Sequence, residues 1–364
     1  MRPLAFLIAA TLGLGSLGGC ASAPGPTPPA PVASATATPA PAATATPVAS
    51  DAPSGTADTV RLALDWTPNT NHTGFFVAER RGWYADAGID LELLPYTGAT
   101  PESLVAGGRA DCAISFEDAM TFAVAAGAEL TSVMAILQRT AQEIAVLATS
   151  SAGRPRDLDG RVYAGFGYPN EVPTVRSVIR ADGGRGEFEV ATLSTAAYEA
   201  LYAGRADFAI VFTAWEGIEA AARGIELRTF PFTDHGFPDF YQVVLACDRG
   251  WLAESPEVAR RFVGATVRGF EVAAREPAAA AAELVAANPG VFAANPDLPL
   301  ASARFLADGG YYLDGRGDVG RQTLERWTAY PRFLFEEGLL TGPDGAPLAE
   351  PLDPSALFTN EFLP

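Results

Sequence analysis

No lysine occurs anywhere in the 364 residues, so every basic side chain is an arginine. Schiff-base chemistry needs a side-chain amine, and that route to covalent catalysis is closed. Histidine is nearly absent as well, with only His72 and His235, and the cysteines are Cys20, Cys112 and Cys247. A disulfide-dense scaffold is excluded, no Cys-x-x-Cys pair exists, and no His or Cys cluster has metal-ligand spacing. Whether Cys112 and Cys247 pair is left open. Neither a Gly-x-Ser-x-Gly elbow nor a phosphate-binding loop is present. Glu117, Glu171 and Glu216 have no spacing that marks an acid–base pair, so the chain is not expected to be an enzyme. Positive charge is scarce overall: the net charge is −18, the wrong sign for a partner with a phosphate backbone. Nucleic acid is therefore not an expected partner.

The N-terminus supplies what the composition does not. An apolar run from Leu4 to Leu17 is too short to span a bilayer and ends at Leu17-Gly-Gly-Cys20, a lipobox. The expected layout is a signal peptide over 1–19, acylation of Cys20, a tether over 20–58, and then a folded body. The tether is Ala, Thr, Pro and Ser with almost no large apolar side chain, which cannot bury enough surface to order itself. Fully extended, it reaches on the order of 100 Å. Acyl chains on Cys20 would hold the body at the cell membrane, on its extracytoplasmic face, without a transmembrane helix.

Roughly 305 residues remain, more than one core usually serves, so two lobes are expected. A repeat supports this: Leu104-Val-Ala-Gly-Gly-Arg-Ala-Asp-Cys-Ala-Ile-Ser115 and Leu201-Tyr-Ala-Gly-Arg-Ala-Asp-Phe-Ala-Ile-Val211 are one phrase written twice. Each reads as a helix closing at glycine, a polar turn and a strand. The flanks repeat too, with strands near Val60 and Arg161 that end in Pro-containing loops. The fold class is α/β, with apolar runs at Ile144–Ala148 and Val243–Ala246 as strands crossing between lobes. Lobe 1 is expected over 59–148 plus 246–364, and lobe 2 over 149–245. Helices are predicted over 257–274, after the Ser255-Pro256 start signal, and over 321–338, where Trp327, Phe333 and Phe335 read as core.

Two lobes hinged by two strands enclose a cleft, and in open α/β sheets ligands lie beyond the carboxyl ends of strands. The strand-end loops are therefore the candidate site. Asp65-Trp-Thr-Pro-Asn-Thr-Asn-His-Thr-Gly74 offers Trp66 for stacking and Asn69 and Asn71 for a ligand's edge. Phe116 and Glu117 follow one repeat, and Trp215 and Glu216 follow the other. Phe166, Tyr168, Asn170 and Glu171 follow the first strand of lobe 2. Gln138 and Tyr241, a few residues ahead of the two crossing runs, are the remaining candidates. Rings beside carboxylates suit a flat, uncharged or weakly basic heteroaromatic.

Leu62–Gly74, Tyr163–Glu171, Trp215-Glu-Gly-Ile-Glu219 and the ending Phe358-Thr-Asn-Glu-Phe-Leu-Pro364 resemble the solute-binding proteins related to thiamine-pyrimidine synthase. That resemblance covers nearly the whole body. It implies a type II periplasmic-binding fold, a monomer without a cofactor, and delivery of a small vitamin or precursor to the membrane permease of an ABC importer. Known members take up formylaminopyrimidine, a thiamine precursor, and a related lipoprotein branch takes up riboflavin. An enzymatic branch, the fungal pyrimidine synthase, uses pyridoxal phosphate as a Schiff base together with a cysteine-rich iron motif. This chain has neither the lysine nor the cysteines for it. Trp66, Phe116, Phe166, Tyr168, Trp215 and Tyr241 offer more ring surface than one pyrimidine needs. The expected ligand is thus a larger flat ring such as the isoalloxazine of riboflavin, with a thiamine pyrimidine as the alternative.

Overall fold

The computed structural model describes residues 57–364. The signal peptide, Cys20 and all but the last two residues of the expected tether lie outside the described residues. Asp58, placed in the tether by the sequence, already pairs as the first residue of a strand.

Strands β1 to β4 are Asp58–Ala63, Ile89–Leu94, Cys112–Ser115 and Leu130–Leu137. Next come β5 to β9, at Gln142–Leu147, Val162–Gly165, Glu189–Thr192, Phe208–Phe212 and Leu227–Pro231, and then β10 at Val243–Asp248. They sort into two 5-stranded sheets, in the orders β2-β1-β3-β10-β4 and β7-β6-β8-β5-β9. The orders superimpose when β6, β7, β8 and β9 stand for β1, β2, β3 and β4. In each sheet the antiparallel member is the strand that has just arrived from the other lobe: β5 beside β8 and β9, β10 beside β3 and β4. The duplicated phrase thus marks a duplicated unit, and the crossing strands complete each other's sheets.

A shared hydrogen-bond device explains why the phrase recurs. After each helix a glycine takes the left-handed conformation, Gly108 at φ 68° and Gly204 at φ 65°. The Asp that follows then receives the N–H of the lobe's first strand: Arg61 N to Asp111 Oδ2 at 2.8 Å, and Val162 N to Asp207 Oδ2 at 2.9 Å. The same two Asp residues donate their own N–H groups to the carbonyls of Arg61 and Val162, both at 2.9 Å. Each turn is laced to the strand beside it.

The lobe boundaries differ from expectation. Gln142–Leu147 pairs wholly within the second sheet, so the first crossing falls at 138–141 and not at 148. The return crossing ends before Val243, because β10 pairs in the first sheet. Nor does the C-terminal part rest on lobe 1 alone. In helix Leu324–Glu336, Trp327 packs with Ala113 and Val244 of the first sheet, while Tyr330 and Leu334 join Ile144 and Phe208 of the second. Trp327 is core as expected, and Phe333 and Phe335 are half-buried against the second lobe.

Helix Pro256–Arg275 follows Ser255-Pro256 as predicted and buries Phe262, Val263, Val267 and Phe270 against the first sheet. It crosses helix Thr73–Arg80 at two glycines. A Cβ on Gly269 would fall 1.9 Å from the Gly74 carbonyl oxygen, and one on Gly74 would enter the Phe270 ring. Cys112 and Cys247 stand opposite each other in register on β3 and β10 and form a disulfide.

Candidate functional site

The loops leaving β1, β3, β6 and β8 meet between the sheets around a partly open cavity of about 100 Å³, room for one small ring or a few waters. The first lobe contributes Trp66, Asn69, Asn71 and Phe116, and the second contributes Phe166, Tyr168, Asn170, Glu171, Trp215 and Glu216. These candidates from sequence do converge. The aromatic rings touch one another: Trp66 lies 5.4 Å from Tyr96, 5.7 Å from Phe166 at 87°, and 6.2 Å from Tyr198. Phe166 and Tyr198 are 5.1 Å apart. Behind the Trp66–Tyr198 pair lies a second chamber of about 240 Å³, which shares Trp66, Tyr198, Trp215 and Glu216 and is also lined by Glu219, Phe292 and Asn295.

Glu117, Gln138 and Tyr241, also expected at the site, are not on the cavity wall. Each is turned to another task. Glu117 Oε2 accepts the N–H of Tyr241 at 2.6 Å, and Gln138 Nε2 donates to the Arg321 carbonyl at 3.0 Å. The Tyr241 hydroxyl accepts the N–H of Thr323 at 2.9 Å, and its ring lies 6.1 Å from Trp327. Beside them Gln242 Oε1 receives the N–H groups of Ala141 and Gln142 at 2.9 and 3.1 Å, stitching one crossing segment to the other. These residues build the hinge and the C-terminal brace.

Conversely, Asp65, Gln142, Tyr198, Ile210 and Phe212 line the cavity without having been singled out. Tyr96 and Tyr198 follow β2 and β7, and the strand-end rule that selected the other loops applies equally to those two.

The polar groups of the cavity fall into two kinds. Most are spoken for by their own backbone. Glu171 accepts from Phe166 N and Tyr163 Oη, both at 2.8 Å, and from Tyr168 N at 2.7 Å, so it shapes its loop. Glu216 accepts from Phe212 N at 3.1 Å. Asn69 Oδ1 accepts from Asn71 N at 2.8 Å. Asn69 N–H donates to His72 Nδ1 at 3.3 Å, leaving His72 Nε2 to carry the proton and donate to Asp65 Oδ1 at 2.7 Å. Left over are two amide oxygens, Asn71 Oδ1 and Asn170 Oδ1, buried and without a partner.

Burial dominates the electrostatics. It pushes Glu216 up to about 8, Glu102 to about 7 and Asp118 to about 6, and it raises Glu171. Asp118 keeps partners in Ala119 N at 2.8 Å and Asn170 Nδ2 at 2.7 Å, and Glu102 accepts from Ser115 Oγ. The Asn170–Asp118 bond joins the lobes. So does Tyr168 Oη donating to the Asp65 carbonyl at 3.2 Å. Trp215, 8% exposed, reaches across from β8 into a pocket of Phe76, Leu284, Phe292 and Leu298. These contacts join the two lobes beside the cavity, which remains partly open to solvent. Among the described residues no three His, Cys, Asp or Glu side chains are placed to hold a metal ion.

The family model described as "NMT1/THI5 like" matches residues 69–280. The formylaminopyrimidine-binding protein of Halalkalibacterium halodurans is 28% identical over 60% of this chain and 68% of its own length. The riboflavin-binding protein RibY of Chloroflexus aurantiacus is 25% identical over 94% of this chain and 93% of its own length. Among solved structures, the alkanesulfonate-binding protein SsuA of Xanthomonas axonopodis pv. citri bound to MOPS aligns at a TM-score of 0.61. It is 16% identical over 79% of this chain and 96% of that one.

Proposed function

This chain belongs to the NMT1/THI5-like family and has the fold of periplasmic binding proteins, and from that premise we infer that it captures a solute for an ATP-driven importer. One observation carries this reading: a cavity between two hinged lobes, walled by rings from both and holding unpaired amide oxygens. Such a site binds by stacking and a few hydrogen bonds and does not react. The solute docks on one lobe, the other swings over it, and the closed form is what a membrane permease recognises. The lipobox at Cys20 would hold the protein on the extracytoplasmic face.

A flat heteroaromatic vitamin fits these walls, and riboflavin is the reading we favour. Parting of Trp66 and Tyr198 would join the cavity to the 240 Å³ chamber behind it, giving a trough for a fused ring with a polyol tail. The likeness to a riboflavin-binding protein also runs the length of both chains. A thiamine pyrimidine is the second reading, favoured by the 100 Å³ of the cavity, which takes one small ring without rearrangement. Pyridoxal phosphate, the cofactor of the synthase branch, does not fit these residues. No lysine exists to hold it, and no cationic side chain lines the cavity to meet its phosphate.

The test is to purify the body from residue 57, look for a copurified yellow chromophore, and titrate riboflavin against formylaminopyrimidine by calorimetry. Saturable binding of riboflavin alone supports the favoured reading. Binding of the pyrimidine alone replaces it, and binding of neither removes the heteroaromatic assignment.

A further inference from the structure

Four residues of the cavity wall, Phe166, Tyr168, Ala119 and Phe212, have backbone N–H groups whose acceptors are carboxyl groups of the protein itself. Glu171 takes those of Phe166 and Tyr168, Asp118 takes that of Ala119, and Glu216 takes that of Phe212. Two helices of useful length begin at the cavity wall, Glu117–Ala125 and Glu171–Ala181. A helix start of this kind ordinarily welcomes a ligand's anion. Here the chain places its own carboxyl groups at those positions. No arginine or histidine lines either the cavity or the chamber behind it, and Asp65, Glu171 and Glu216 do. What is unmet is the opposite need: Asn71 Oδ1 and Asn170 Oδ1 are buried acceptors awaiting donors. Asn170 is fixed in that sense because its amide nitrogen is given to Asp118.

The geometry points to a site that selects by charge: it admits uncharged or cationic N–H and O–H donors and rejects phosphorylated, sulfonated or carboxylated forms of the same rings. This deepens the reading of the cavity as a vitamin site and rests on it. An anion entering here would lose its water, find no cationic side chain on the wall, and meet carboxyl groups already holding the N–H groups of Phe166, Tyr168, Ala119 and Phe212, the costly way to bury charge. The site's own carboxyls report the same medium, since burial holds Glu216 near 8. The sulfonate-binding relative by fold is thus no guide to the ligand. It also follows that where the source compound is a phosphate ester, a hydrolysis must come first. Water cleaves the P–O bond, inorganic phosphate leaves, and the free alcohol is what this protein captures.

The experiment pairs each alcohol with its ester on the intact body by calorimetry: riboflavin with riboflavin 5′-phosphate, and 4-amino-5-hydroxymethyl-2-methylpyrimidine with its monophosphate. Nicotinamide against nicotinate, read by thermal shift, adds a pair independent of either vitamin. Whichever alcohol binds is expected to exceed its ester by 100-fold or more, and nicotinamide is expected to stabilise more than nicotinate. An ester bound within threefold of its alcohol, or nicotinate preferred, overturns the charge rule and leaves the vitamin reading standing. Loss of both alcohols with nicotinamide still preferred overturns the vitamin reading and leaves the charge rule. No saturable response to any probe overturns both.

Discussion

Trp66 and Trp215 both line the cavity, yet their surroundings assign them different work. The ring neighbours of Trp66 are Phe166 and Tyr198 of the cavity wall and Tyr96 beside it, whereas Trp215 fills a pocket on the opposite lobe beside Phe292. Trp66→Ala is expected to weaken solute binding by at least about 1 kcal/mol and leave stability near that of the parent. Trp215→Ala is expected to weaken binding and also to destabilise by about 3 kcal/mol, the usual effect of emptying a packed ring site. Calorimetry and urea denaturation separate the two, and a Trp66→Ala protein of parental affinity would remove that ring from the site. Trp66, Asn71 and Phe166 were legible because a strand-end loop dense in rings and amides has few other uses. Glu117 and Tyr241 were not, since a carboxylate at a helix start reads alike whether it faces a ligand or, as here, a neighbouring peptide N–H.

Long amphipathic elements were the most legible, and helix Pro256–Arg275 begins and ends within a residue of its predicted span. The crossing points were not. An apolar run buried on both faces, such as β4 or β5, carries no mark of which sheet it joins, so the four residues between Leu137 and Gln142 could not be recognised as the hinge. The helix pair at Gly74 and Gly269 supplies a contrast within one element. Gly269→Ala must push the helices apart and is expected to destabilise by about 1–3 kcal/mol. Gly264→Ala, in the same helix with open space around its Cβ, is expected to be neutral or to stabilise by up to about 1 kcal/mol. Urea midpoints of the two variants decide the matter, and equal midpoints would mean the crossing is not tight.

For the whole molecule, the buried acids set a pH profile. Glu102, Asp118 and Glu216 ionise at ordinary values of 4.5, 3.8 and 4.5 when unfolded, but at about 7, 6 and 8 in the folded chain, because burial disfavours their charge. The folded state therefore holds more protons between about pH 4 and 8, and the stability these groups contribute is lost as pH rises through that window. The solute-free Tm is expected to fall from pH 6 to pH 8 by roughly 2–4 °C, and Glu216→Gln is expected to flatten the decline. A Tm that rises over the same interval, or a slope untouched by the substitution, would contradict the assignment. The bond between Cys112 and Cys247 has a different reach. It spans a sequence separation of 135 residues and encircles every strand from β4 to β9, so the second lobe hangs as a loop tied off at its base. A protease that nicks an exposed turn there severs the backbone without parting the molecule: the pieces travel as one species until a thiol reductant is added. Lobe motion is untouched by the tie, since both sulfurs sit in the same sheet.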